Sequence, residues 1–163
     1  MSRMLREVFH KMKAVLQRVK KSEVKVDGEC VGSCGAGLMI LLGVAAGDTE
    51  ADADALAAKI LKLRIFEDEN GKMNKSVTDI GGEALVVSQF TLLANYKSGN
   101  RPDYFASEKP ERANMLYEYF SSLLRSSLSH VGNGVFGADM EVTIINDGPV
   151  TIVMDSSDLV KSR

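Results

Sequence analysis

The sequence predicts an α+β domain: a curved, largely antiparallel, barrel-like sheet carrying two main helices. Three observations lead there. Stretches with strand alternation follow one another in consecutive pairs, separated by glycine turns. Two longer stretches carry apolar residues at helical spacing instead. The chain has 163 residues, enough for one domain with a substantial core and too few for two ordinary ones.

The elements follow in order. Residues 1–11 (MSRMLREVFHK) hold a weak helical pattern at Met4, Leu5, Val8 and Phe9, and are read as an appendage outside the fold, with a second start at Met12. From Lys13 the run KAVLQRVK alternates, with Ala14, Leu16 and Arg18 on one face and Val15, Gln17 and Val19 on the other. Residues 22–26 (SEVKV) alternate again and meet Asp27-Gly28, a strong hairpin signal. Residues 30–33 then return, and residues 35–37 turn the chain a second time. Residues 38–44 (LMILLGV) are continuously apolar, as a central strand buried on both faces would be. Asp48-Thr49 offers an N-cap for the helical stretch 50–66, which has Ala55, Ile60 and Leu63 at helical spacing. Asn70-Gly71 and Gly81-Gly82 are turns, and residues 83–90 (EALVVSQF) form another buried strand. Residues 94–109 are a polar loop holding Asn95, Gly99, Asn100 and Pro102. Residues 110–128 are the second helix: Pro110 suits its first turn, and Leu116, Phe120, Leu123 and Leu124 form its apolar stripe. Residues 132–137 are a glycine-rich turn. Residues 140–145 and 150–154 read as two strands separated by the turn Asn146-Asp147-Gly148-Pro149. The domain therefore spans residues 12–155, and residues 156–163 are a polar tail.

Composition narrows the function classes. No apolar run reaches the roughly 20 residues of a membrane span; the longest, residues 38–46, is interrupted by Gly43. Twenty Lys and Arg against 22 Asp and Glu leave a net charge of −2, which argues against a domain that wraps DNA without specificity but permits a local basic patch. Cys30 and Cys34 lack the second ligand pair of a structural zinc site, so no metal is expected. Two cysteines make no disulfide framework, which points to a reducing compartment. The first 13 residues are charged throughout and have no apolar stretch of a secretory signal, so a cytoplasmic location is expected.

The familiar catalytic constellations are missing. A Ser–His–Asp triad needs a histidine base, yet His10 lies in the appendage and His130 at a helix end, where a cap is the simpler role. Gly35-Ala36-Gly37 opens a strand and not a helix, so it is no dinucleotide fingerprint. Two segments stand out. In S-Q-F-T-L (residues 88–92) an apolar strand ends in polar side chains. This is either a strand end with hydroxyls bonded to backbone or a site at the strand's C-terminal edge. N-D-G-P-V-T (residues 146–151) is, as bare sequence, a turn. Its Gly148-Pro149 bond would be assigned trans, because only about 5–6% of X-Pro bonds in folded proteins are cis.

Taken together, these two segments resemble the two signature motifs of the D-aminoacyl-tRNA deacylases. The likeness extends through M-K-A-V-L-Q-R-V (12–19), G-A-G-L (35–38), L-L-G-V (41–44), R-I-F (64–66), G-K-M-N (71–74), L-V-V-S-Q-F-T-L (85–92), R-P (101–102) and F-x-A-D-M-x-V (136–142). It covers nearly everything from Met12 to about Met154. Each motif alone is weak, but the ordered set at these spacings is highly specific.

The resemblance implies a two-fold homodimer that hydrolyses the ester between a D-amino acid and the 3′ end of tRNA, and that also acts on glycyl-tRNA mischarged on tRNA(Ala). It implies a cis Gly148-Pro149 bond, inserted into the partner subunit's site. Two carbonyls aimed the same way would accept from the substrate's ammonium and clash with an L side chain. Asn146 and Val150 flank this segment, and Arg18 matches a family arginine that braces it; the alternative is a surface arginine on an edge strand. The 2′-hydroxyl of the terminal adenosine would assist the attack, which accounts for the missing histidine. The oxyanion donors would be the backbone N–H of Phe90 or Thr91 and the side chain of Gln89, with Ser88 orienting its neighbours. Thr91 is a nucleophile candidate that no adjoining base activates. Lys20, Lys21, Lys25, Lys97 and Arg101 are candidates for holding tRNA phosphates, each otherwise an ordinary solvated charge. No cofactor, membrane or DNA partner is expected. The rival readings are a non-catalytic nucleic-acid-binding module and a serine or threonine esterase for small molecules.

Overall fold

The computed structural model describes residues 11–160. The helical pattern expected before Lys11 lies outside the described residues, as do residues 161–163. Strand β1 (Lys13–Val26) organises the sheet. It was expected as two strands and is one, because Lys20-Lys21 offers no Gly, Pro or Asn to turn the chain. Along one edge β1 pairs antiparallel first with β3 (Gly37–Gly43) and then with β2 (Glu29–Cys34). The hairpin between β1 and β2 turns at Asp27 (φ 50°) and Gly28 (φ 80°), the left-handed pair that a tight hairpin requires.

Along its other edge β1 pairs with a single strand, β8 (Glu141–Asp155). Here the expected turn at residues 146–149 is instead an irregularity within one strand. Gln17 pairs with Thr151 and Val19 with Asn146, so residues 147–150 bulge out opposite Arg18. The Gly148-Pro149 peptide at the centre of this bulge is cis.

After β3 the chain crosses through helix α1 (Glu50–Lys62) and returns as β6 (Glu83–Ser88), parallel to β3. Asp52 accepts from the Thr49 N–H at 2.9 Å and fixes the start of α1. The helix stops at Lys62, short of Phe66, because Leu63 turns extended and Phe66 enters the small ladder of β4 (Phe66–Glu67) and β5 (Met73–Lys75). Helix α2 (Pro110–Arg125) makes a second crossover to β7 (Val131–Asn133), parallel to β6. That strand lies where a glycine-rich turn was expected. The sheet is therefore mixed: the three ladders that β1 makes are antiparallel and keep it largely so, as expected, while both helical crossovers return the chain in the same direction and add the parallel pairs β3–β6 and β6–β7.

The sheet curls until β7 approaches β2. A Cβ on Gly32 would lie 2.0 Å from the Asn133 carbonyl oxygen, and one on Gly132 2.4 Å from that of Ser33. Glycine at both positions lets the two backbones meet, so the barrel is nearly closed. Period-two alternation then sorts the core. Leu16, Leu38, Ile40, Ala84 and Val86 face the helices, packed with Leu56, Ile60, Leu116 and Phe120. Val19, Met39, Leu85 and Val87 point into the barrel. Among the described residues no helix is long and apolar enough to cross a membrane.

Candidate active site

Strand β6 surfaces at Ser88, two residues earlier than expected, and the chain folds into a one-turn 3-10 helix at Phe90–Leu93. The Gln89 N–H still donates to the Leu42 carbonyl, at 2.8 Å, anchoring the turn to β3. A Cβ on Gly43 would come within 3.0 Å of the Gln89 carbonyl, so glycine lets the turn lie against the end of β3. Phe90 and Thr91 open this turn, and their N–H groups have no acceptor inside it.

A cleft of about 710 Å³ opens beside the turn, within the size range of a small-molecule site. Ser88, Gln89 and Phe90 line one wall, Tyr104, Phe105, Ser107 and Glu108 a second, and Phe136, Gly137, Ala138 and Met140 a third. Phe90 meets Tyr104 edge to face, with ring centroids 5.0 Å apart. Thr91 is exposed and not among the lining residues. Its hydroxyl accepts a hydrogen bond from the Gln89 side-chain amide. That amide is no base, so Thr91 lacks the activation a nucleophile needs. His130 is also outside the cleft, bonded to the Ser33 carbonyl at 2.7 Å.

Charge in the cleft is held in check. The N–H groups of Gly47 and Lys109 keep the Glu108 carboxyl below the usual range, and Arg112 lies 3.6 Å from it. Behind this wall Asp48 is fully buried, with one carboxylate oxygen accepting from the Ala45 N–H at 2.7 Å and the other without a hydrogen-bond partner among the described residues. Burial pushes its pKa up to about 7; the Ala45 N–H opposes this and the nearby Asp52 adds to it.

The other predicted residues gather elsewhere. Arg18 is 6% exposed, which overturns its reading as a surface arginine. Its Nε donates to the Asp147 carbonyl at 3.1 Å and its Nη1 to the Ile65 carbonyl at 2.7 Å, and it pairs with the Asp147 carboxylate at 3.5 Å. Asn146 spans the base of the bulge, accepting from the Val150 N–H at 3.2 Å. Gly148 and Pro149 are exposed at its tip. Gly148 has φ +128°, and a Cβ there would lie 3.0 Å from Arg18. None of Arg18, Asn146, Gly148, Pro149 or Val150 lines the cleft, so within one chain the two signature segments stay apart.

Sequence reasoning missed most of the second and third walls. Phe136 and Met140 stood in the F-x-A-D-M-x-V run as part of the resemblance, but were given no place in the site. For the second wall the aromatic pair Tyr104-Phe105 inside a polar loop was the available signal. Of the basic candidates, Lys20, Lys21, Lys97 and Arg101 are exposed, while Lys25 pairs with Glu23 at 3.8 Å.

A family model described as D-Tyr-tRNA(Tyr) deacylase matches residues 15–155. The chain belongs to the D-aminoacyl-tRNA deacylases. A deacylase of Persephonella marina is 59% identical over 148 residues, covering 91% of this chain and all of the relative. That of Thermus aquaticus is 53% identical over 152 residues, covering 93% and 100%. A solved structure named c-Myc DNA Unwinding Element Binding Protein superposes with a TM-score of 0.82 at 44% identity, covering 87% of this chain and 97% of that one. Deacylases are ester hydrolases, and the cleft at the end of β6 is lined by Ser88, Gln89 and Phe90 of the first signature segment.

Proposed function

We propose that the chain hydrolyses the ester linking a D-amino acid to the 3′ end of tRNA, accepts glycine mischarged on tRNA(Ala), and spares L-aminoacyl-tRNA, as cytoplasmic chiral proofreading by the domain of residues 12–155. The observation that carries the reading is the separation of the two signature segments. The cleft ends on Ser88, Gln89 and Phe90, while the Gly148-Pro149 bulge is exposed, braced by Arg18 and not among the residues that line it. A second copy joins them. In a two-fold homodimer the bulge of each protomer enters the cleft of the other, where its carbonyls accept from the substrate's ammonium and its bulk excludes an L side chain. Glycine has no side chain to exclude.

Catalysis then needs placement more than a protein base. The 2′-hydroxyl of the terminal adenosine already lies beside the ester carbonyl and assists the attack at little entropic cost. The N–H of Phe90 or Thr91, with the Gln89 amide, stabilises the oxyanion, and Ser88 orients this corner; each such donor is worth roughly 3–4 kcal/mol. The name of the solved relative favours one other reading, a nucleic-acid-binding module without catalysis. Deacylation of D- and L-aminoacyl-tRNA carrying the same amino acid separates them. Release of the D-amino acid with the L-ester intact is expected. Equal rates sink the chiral reading, and binding without release favours the module.

A further inference from the structure

Phe105 is 88% exposed, the most exposed of the large apolar side chains among the described residues, yet it stands on the wall of the cleft. A lone exposed ring is ordinary, but this one lines a single cleft with Phe90, Tyr104, Phe136 and Met140, and a contiguous apolar patch marks a ligand-binding groove. The loop that carries it is not slack. Asn95 and Asp103 exchange backbone hydrogen bonds at 2.8 and 3.0 Å, and the Ala46 N–H donates to the Ala106 carbonyl at 2.8 Å. The ring is therefore presented from a segment pinned on both sides, at little further entropic cost on binding.

The two carboxylates nearest it along the loop already hold donors of their own. Asp103 is occupied by the Asn95 amide and the Phe105 N–H, and Glu108 by Gly47, Lys109 and Arg112. Lys97, Arg101 and Lys109 make no ion pair among the described residues. Lys109 lines the same cleft as Phe105, and Lys97 and Arg101 are exposed on the same loop; a ring and cations carried together fit a nucleobase and its phosphate. On the deacylase reading the terminal aminoacyl nucleoside occupies the cleft, and Phe105, on its wall yet exposed, stands where the preceding nucleotide leaves it.

Resting on the deacylase reading above, we infer that Phe105 is a stacking platform for the nucleobase that immediately precedes the terminal aminoacyl adenosine in the unpaired 3′ end of tRNA. Phe105 thereby positions the ester from one nucleotide away and makes the enzyme favour a polynucleotide over an isolated nucleoside.

The test compares kcat/KM for D-aminoacyl-adenosine with that for the same ester on a cytidylyl-adenosine dinucleotide, in wild type, Phe105→Ala and Phe105→Trp. The wild-type enzyme should prefer the dinucleotide. That preference should shrink by roughly 5- to 150-fold in Phe105→Ala and return in Phe105→Trp. A preference of the same size in wild type and Phe105→Ala overturns the inference, as does a loss equal on both substrates. A change in light-scattering mass for Phe105→Ala also overturns it, because the ring then serves a protein interface. Wild type that hydrolyses the adenosine ester with no gain on the dinucleotide refutes the stacking alone; wild type that hydrolyses neither refutes the deacylase reading with it.

Discussion

Two side chains define the chemistry at the residue scale by what they do not do. Thr91 has the hydroxyl of a nucleophile, but its partner is the Gln89 amide, which cannot take a proton. A threonine without a base is a weak nucleophile. Thr91→Ala should keep most deacylase activity, whereas Gln89→Ala should lower kcat by roughly a hundredfold to a thousandfold if its amide serves the oxyanion. Single-turnover kinetics on D-aminoacyl-tRNA checks both, and an acyl-enzyme trapped on Thr91 would reverse the roles. Asp48 shows the cost of burial. Its folded pKa, about 7, lies above its ordinary value of 3.8, so the folded state binds its proton more tightly than the unfolded chain does. The stability this gives is fully present below pH 4 and is lost as pH rises through 7. Urea unfolding should show wild type losing stability relative to Asp48→Asn between about pH 4 and 7. A difference that stays flat with pH means that Asp48 does not titrate there.

At the scale of elements, β1 and β8 matter most, and the bulge between them is the part to which the proposed function assigns chiral selection. Arg18 ties three segments together: it reaches Ile65 beyond α1, and both the carbonyl and the carboxylate of Asp147 beside the bulge. Arg18→Met removes the donor to a buried carbonyl, so it should cost about 1–3 kcal/mol of stability and weaken discrimination between D and L esters. Arg18→Lys should rescue little, because one ammonium cannot reproduce the guanidinium's spread of donors. Denaturant titration and the D-to-L rate ratio measure the two effects; full chiral discrimination in Arg18→Met would remove the bracing role. These same elements show what was legible in the sequence. Alternation exposed both segments of β1, continuous apolar runs exposed β3 and β6, both segments of β8 were read as strands, and Asp27-Gly28 fixed its hairpin. The continuity of β1 and of β8 was hidden, because Asn146-Asp147-Gly148-Pro149 has the composition of a turn and only pairing with β1 keeps it in a strand. Strand β7 was hidden because Gly132 looks like a turn residue until Ser33 is seen against it. The walls of the cleft from Tyr104 and Phe136 depend on long-range packing that no local pattern records.

The whole molecule has one long strand that is paired on a single edge among the described residues. β8 runs for 15 residues against β1, and its outward side chains include Val153, 75% exposed. Such an edge invites pairing or cover by another chain. The bulge with Gly148 and Pro149 belongs to the same strand, so any two-fold contact made near β8 carries the bulge towards a neighbouring protomer. If the proposed dimer is right, each active site is made of two chains, and damage to the two parts can be complemented. Ser88→Tyr fills the cleft with an aromatic side chain but leaves the bulge intact. Gly148→Val puts a Cβ against Arg18 at a φ that suits glycine, which displaces the bulge but leaves the cleft intact. Each variant alone should discriminate or turn over poorly. When the two are unfolded together and refolded, half of the dimers are mixed, and each mixed dimer holds one site with an undamaged cleft and an undamaged bulge. Selective deacylation of D-aminoacyl-tRNA should then recover to about a quarter of the wild-type level. A monomer with a complete site in each chain predicts no recovery at any mixing ratio, so the recovered rate as a function of the ratio decides between one chain and two.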